Sequence, residues 1–118
     1  MTTHTTDDPR GVQIAKAARF RAAHAQRFLI PNPWDPGSAR LLERMGFAAL
    51  ATTSAGYAFS RGRPDNGVSR EMVLQHLAEI PDPPDLPVRA DLETGFGHDP
   101  RVVPETITLA AEAGVVGG

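Results

Sequence analysis

The sequence predicts an α/β fold of parallel strands joined by helical crossovers, the first part of a (β/α)8 barrel. Three observations carry that expectation. Short apolar runs begin near residues 28, 47, 88 and 115. Segments with helical signals separate them, and strand alternating with helix implies parallel pairing. The average spacing is about 29 residues, so eight units would need roughly 230, near the ~250 typical of such a barrel. A small open doubly wound sheet is the alternative, but it usually has about five strands. The 118 residues hold three units and the start of a fourth strand.

In chain order, residues 1–10 ("MTTHTTDDPR") are polar and read as disordered, with residues 11–118 as one unit. A helix is expected from about Val12 to Ala25, on a loose apolar stripe that includes Ile14, Ala17 and Phe20. "RFLIP" (27–31) reads as the first strand. "PNPWDPGSARLLERMG" turns into a helix that Gly46 stops. "FAALATT" (47–53) reads as the second strand and "SAGYAFSRGRPDNGV" as a loop. Ser69 is a plausible N-cap for a helix to Ile80, with His76 expected at solvent, and "PDPPDLP" ends it. "VRADL" reads as the third strand. Asp99-Pro100 opens a further helix to about Ala113, with Pro104 expected to kink it or delay its start. "VVGG" begins a fourth strand.

Composition narrows the function classes. The formal net charge is -2, so no basic field favours nucleic acid or anionic lipid. Without cysteine the chain has no disulfide, thiolate metal site or cysteine nucleophile. No apolar run approaches the ~20 residues of a membrane span, and the N-terminus has no secretory h-region. A cytoplasmic protein is expected.

The stretch "VRADLETGFGHDP" (88–100) carries the chemistry. On a strand, residues two apart share a face, so Asp91 and Glu93 are expected to project together with Arg89, while Val88, Ala90 and Leu92 pack on the other side. The carboxyl end of a strand is where α/β folds place their sites. Paired carboxylates beside a glycine turn suit Mg²⁺, which takes one or two carboxylates and keeps several waters. The plain alternative is two solvated turn residues, one paired with Arg89. "GFGHDP" shows the first two glycines of a dinucleotide fingerprint but has Pro100 at the third.

Three stretches, "LIPNPWDPGSARLLERMGFAALATTSAG" (29–56), "RPDNGVSREMVLQHL" (63–77) and "LPVRADLETGFGHDP" (86–100), resemble the isocitrate lyase/phosphoenolpyruvate mutase family. The resemblance implies a TIM-type (β/α)8 barrel and Mg²⁺, with Mn²⁺ as a substitute. It implies homo-oligomers and lyase chemistry at a C–C or P–C bond of a small 2-oxo or 2-hydroxy carboxylic acid, through an enolate-like intermediate. By resemblance, Asp91 matches the direct metal ligand, while Glu93 and Asp65 match acids that hold the ion through water. Thr53, Ser54 and Ala55 match the segment that grips the substrate carboxylate; hydroxyls and free backbone donors suit that task. Ordinary loop or turn roles remain open for Thr53, Ser54 and Asp65. Trp34 either lines the pocket mouth or caps a barrel edge, and His24, His76 and His98 show no ligand spacing.

The sequence also departs from the family. Arg89 occupies a position expected to face the barrel interior, so it must pair with Asp91 or Glu93 or reach solvent. Prolines in "PDPPD" and at 104 fall where relatives continue helices. The family's gating loop and later-strand residues would lie beyond Gly118, so no catalytic acid or base is assigned within these residues. A truncated or split lyase inactive alone is expected, with a non-catalytic remnant as the alternative.

Overall fold

The structure, a computed structural model, describes residues 8–80 and 86–118. The N-terminal tail 1–7 and the proline run 81–85 lie outside the described residues, as do the expectations placed on them.

Helix α1 spans Pro9–Ala23. It starts three residues earlier than expected, because Asp8 accepts the Arg10 N–H at 3.1 Å and Pro9 occupies the first turn. Its stripe is only partly used: Ile14 stays 65 % exposed while Lys16 is buried. Gln13 Nε2 donates to the carbonyls of Ala111 and Val115 at 2.7 and 2.9 Å, which docks α1 far along the chain.

The run at 27–31 is apolar but forms no strand among the described residues. Pro31 and Pro33 have no N–H to give a ladder. One backbone bond survives, from Ala51 N–H to the Pro31 carbonyl at 3.0 Å. The Asn32 side chain then donates to the Ala51 carbonyl at 2.8 Å, where a backbone donor would otherwise stand.

Helix α2, Pro36–Arg44, begins on a reciprocal cap. Ser38 N–H donates to Asp35 Oδ1 at 2.8 Å, and Asp35 N–H donates to Ser38 Oγ at 3.2 Å. Gly46, at φ +92°, ends the segment as expected. Strand β1 is only Leu50–Ala51. The next residues are a helix rather than a loop: α3 runs Ser54–Ser60, with Thr53 as N-cap.

Helix α4, Arg70–Glu79, starts on the expected Ser69 cap, whose hydroxyl accepts the Met72 N–H at 3.2 Å. Its buried face is Val73, His76, Leu77 and Ile80, so His76 is interior and not at solvent. Strand β2 is Val88–Arg89. Helix α5, Val102–Glu112, starts later than Asp99-Pro100, which leaves Pro104 in its first turn, where a missing N–H costs no helical bond.

The strands pair in parallel, Leu50 opposite Val88 and Ala51 opposite Arg89. On the far side of β2, Val116 N–H donates to the Val88 carbonyl at 2.9 Å and Ala90 N–H to the Gly117 carbonyl at 2.8 Å. The fourth extended segment is therefore present as a parallel bridge between Arg89 and Gly117. Chain order and spatial order agree, as expected for successive βα units. Leu50, Val88, Leu77 and Ile80 are fully buried at the centre of the core, and each contributes about 1.5–3 kcal/mol by leaving water. No helix among the described residues is long and apolar enough to cross a membrane.

Candidate functional site

The site lies just beyond the carboxyl ends of β1 and β2. Thr52 follows β1, and its Oγ1 accepts the Asp91 N–H at 3.0 Å. This cross-strand bond fixes where Asp91 leaves the sheet. The Asp91 carboxylate then collects donors. Ser54 gives its N–H at 3.2 Å and its hydroxyl at 2.9 Å to Oδ2, and Glu93 gives its N–H at 3.0 Å to Oδ1. Burial pushes the Asp91 carboxyl up, but these bonds, with the charge of Arg89, outweigh burial and hold it below the usual carboxylate range. A carboxylate offers about four lone-pair sites, so Asp91 keeps capacity on Oδ1.

Glu93 is the opposite case. Burial, then the charge of Asp91, then that of Asp65 raise its carboxyl above its ordinary value. Its Oε2 is buried with no hydrogen-bond partner. Asp91 and Asp65 thus each lie within electrostatic reach of Glu93, and Asp91 and Glu93 are neighbours. The reason differs from the expected same-face alternation. Strand pairing stops at Arg89, and Glu93 takes a left-handed φ of +55°, so a turn, not a pleat, brings Glu93 back beside Asp91. Arg89 is solvent-exposed, and Val88 and Ala90 pack inward as expected.

Asp65 sits in a tight turn, closed by Gly67 N–H to the Pro64 carbonyl at 2.9 Å, with Asn66 at φ +64°. Turn residue and site residue are compatible roles here, since its charge reaches Glu93. Thr53 is committed: its Oγ1 accepts the Gly56 N–H at 3.2 Å. Ser54 is spent on Asp91, and Ala55 follows it in the first turn of α3, where backbone donors lack intrahelical acceptors. Removing the cap with Thr53→Val is expected to cost about 1 kcal/mol in urea denaturation, with Thr53→Ser close to wild type. Equal stability of all three would show that water replaces the hydroxyl.

Two features of this arrangement bear on whether a divalent cation could sit here. The orphaned Glu93 Oε2 and the repulsion that Asp91 and Asp65 exert on Glu93 would both be relieved by positive charge. Among the described residues no group of three or more His, Asp or Glu side chains is placed to hold a metal ion, so an ion here would take most of its ligands from water, as Mg²⁺ commonly does. The apolar hollow of about 400 Å³ between α1, α5 and the C-terminal segment is lined by Ile14, Leu92, Ile107 and Val116 and includes none of the acids. Trp34 lies half-exposed against α3, with its ring 6.2 Å from that of Phe59 and its indole over Gly56, where any Cβ would collide with it. His98 is exposed, and His24 bonds the Phe20 carbonyl at 2.7 Å.

Sequence reasoning missed Thr52, whose contribution needs the register Ala51–Arg89 to be known. It also missed the double use of Ser54. The signal was present in "TTSAG", three consecutive positions able to cap a helix, but the threonines were read as the end of a strand and Ser54 onward as loop.

The family described as phosphoenolpyruvate phosphomutase matches residues 20–118. A 2-methylisocitrate lyase from Bacillus subtilis (strain 168) is 35% identical over 84 residues, covering 69% of this chain and 28% of the relative. A solved structure from Burkholderia cenocepacia J2315, described as a lyase/mutase, has a TM-score of 0.87 at 58% identity, covering 90% of this chain and 39% of that one. A phosphonopyruvate hydrolase solved with oxalate and Mg²⁺ has a TM-score of 0.80 at 27% identity, covering 85% of this chain and 36% of that one. The chain spans about a third of the length of the curated relatives it matches.

Proposed function

Because the chain belongs to the phosphoenolpyruvate phosphomutase family, we propose that it supplies the metal-holding part of a Mg²⁺-dependent lyase-type site. The proposed reaction makes or breaks a C–C or P–C bond next to the carboxylate of a small 2-oxo or 2-hydroxy acid. In this proposal the parallel segments are the first strands of a (β/α)8 barrel, and the site opens at their carboxyl ends.

Asp91 would hold the ion directly through Oδ1, its Oδ2 being anchored by Ser54. Glu93 and Asp65 would hold it through water, with Mn²⁺ as a substitute for Mg²⁺. When bound, the ion supplies positive charge that lowers the cost of negative charge developing on the oxygen beside the reacting bond. Thr52 and Ser54 position Asp91, and the backbone N–H groups of Thr53 and Ala55, on either side of the committed Ser54, are offered to a carboxylate. The Arg89 charge lies near Asp91 on the exposed side and favours approach of an anion.

The observation that carries most weight is the buried, partnerless Oε2 of Glu93 beside an Asp91 held ionised. The phosphonopyruvate hydrolase structure with oxalate and Mg²⁺ supports the same ligand chemistry. Mn²⁺ titration followed by water-proton relaxation tests it. Asp91→Ala is expected to weaken binding at least about tenfold, the low end of what disturbing a metal site's surroundings costs. Equal affinity of wild type and variant would remove the site.

A further inference from the structure

The turn that carries Glu93 is conformationally disfavoured. Glu93 and Phe96 both hold left-handed φ values, +55° and +66°, around Gly95 at +96°. Such backbone persists only where its surroundings over-determine it. Three contacts do so here. Gly95 N–H donates to the Leu92 carbonyl at 2.9 Å, and Gly95 and Gly97 press against Val103 and Val102 of α5. The third contact is polar and reaches further. Thr106, fully buried on α5, donates its hydroxyl to the Gly95 carbonyl at 2.8 Å.

The Thr106 hydroxyl also accepts from Arg70 Nη1 at 3.3 Å, while Arg70 Nη2 pairs with Glu105 Oε1 at 3.0 Å. Arg70 is the first residue of α4, and the loop just before it carries Asp65. That loop is stiff in its own right: Arg63 Nη1 donates to the Gly67 carbonyl at 3.1 Å, and Val68 is buried. The contacts therefore run from the Asp65 loop through Arg70 and Thr106 to the Gly95 carbonyl.

A threonine inside a helix has a nearer acceptor, the carbonyl one turn back. Thr108 takes it, bonding the Pro104 carbonyl at 3.0 Å. Thr106, on the same helix, spends its hydroxyl instead on a turn outside the helix.

We infer that Thr106 and Arg70 are positioning residues, a part-buried strut that fixes the Glu93 turn relative to the Asp65 loop so that both acids can hold, through water, an ion bound at Asp91. The purpose of the strut rests on the metal site proposed above; the strut itself rests on its contacts alone. The charge of Asp65 acting on Glu93 agrees with it.

Two readouts on the full chain separate the strut from its purpose. Amide hydrogen exchange by NMR is followed at Glu93 and Gly95, with Leu77 as the core reference. Thr106→Val is expected to speed exchange at Glu93 and Gly95 at least about tenfold beyond any change at Leu77, and Thr106→Ser to restore it. Mn²⁺ affinity is expected to fall about tenfold in Thr106→Val, as for other supports of a metal ligand, and to recover in Thr106→Ser. Should Thr106→Val not fold, Arg70→Gln cuts the outer contact only, and faster exchange at Gly95 relative to Leu77 is again expected. Exchange at Glu93 and Gly95 that merely follows Leu77 in the folded variants overturns the strut. A wild type that binds no Mn²⁺, with the turn still released by Thr106→Val, overturns the metal assignment and leaves the strut standing.

Discussion

Gly95→Ala is expected to destabilise the chain by about 2–5 kcal/mol, against about 1–2 kcal/mol for Gly46→Ala. The two glycines make a matched pair. Both hold positive φ, +96° and +92°, so both variants bear the conformational cost of an L-residue there, about 1–2 kcal/mol. Their surroundings differ. A Cβ at Gly46 meets nothing within 4 Å, whereas at Gly95 it would sit 2.7 Å from Val103 Cγ2 and 3.3 Å from Val103 Cβ. Valine is stiff at χ1, and Val103 belongs to the first turn of α5, which Thr106 ties to Gly95 itself. The overlap cannot be relieved by swinging a side chain away, so an overpacking cost of about 1–3 kcal/mol is added. Urea denaturation of both variants measures the difference. Equal losses would show that α5 gives way easily, and that the acid-bearing turn is not clamped against it.

How far the fold was legible depended on whether a signal was local. Helix α2 was read from its stop at Gly46, local punctuation with one physical meaning, while its start on Asp35 and Ser38 went unread although both residues are local cap formers. The α4 start at Ser69 was readable for the same reason. "SAGYAFS" was read as loop because Gly56 and the small residues give no apolar period, although Thr53 was a sufficient cap. Gly56 is there for a non-local reason, the Trp34 indole lying on it. At 27–31 the apolar run was real, but the prolines that bound it remove the donors a strand needs, and Asn32 substitutes with its side chain. Those prolines were visible and were under-weighted.

The candidate site shows the same divide. That Asp91 and Glu93 belong together could be read from their spacing, but the period-two reason was wrong: Glu93 returns through a left-handed turn. That Asp91 is held by Thr52 and Ser54 depends on the β1–β2 register. Arg70 and Thr106 are 36 residues apart, and only the packing of α4 on α5 gives that pair meaning.

Acid is expected to loosen the fold through His76. Its side chain is 4 % exposed, stacked on Tyr57 at 4.1 Å with an 18° tilt, and its Nε2 has no partner. Burial pushes its pKa down from 6.5 to about 4, and the Asp35 charge only partly opposes this. In the unfolded chain the ring takes its proton near the ordinary value, whereas in the folded chain it resists down to about 4. Between those limits the unfolded state binds more protons, so stability rises with pH. The contribution is complete above pH 6.5, is lost as pH falls toward about 4, and changes no further below that. Each unit of the window is worth about 1.4 kcal/mol, so the whole amounts to about 2–3 kcal/mol after allowing for partial solvent screening. Carboxylates titrate in the lower part of the same range, so the measurement is a difference. His76→Phe keeps a ring against Tyr57 and removes both the proton site and the stranded Nε2. Urea denaturation at pH 7 and pH 4.5, an interval that covers most but not all of the window, is expected to show wild type losing about 2 kcal/mol more than His76→Phe. Parallel losses in the two proteins would mean that His76 takes up its proton in the folded chain as readily as in the unfolded one, and that the interface of α3 and α4 opens to water at no measurable cost.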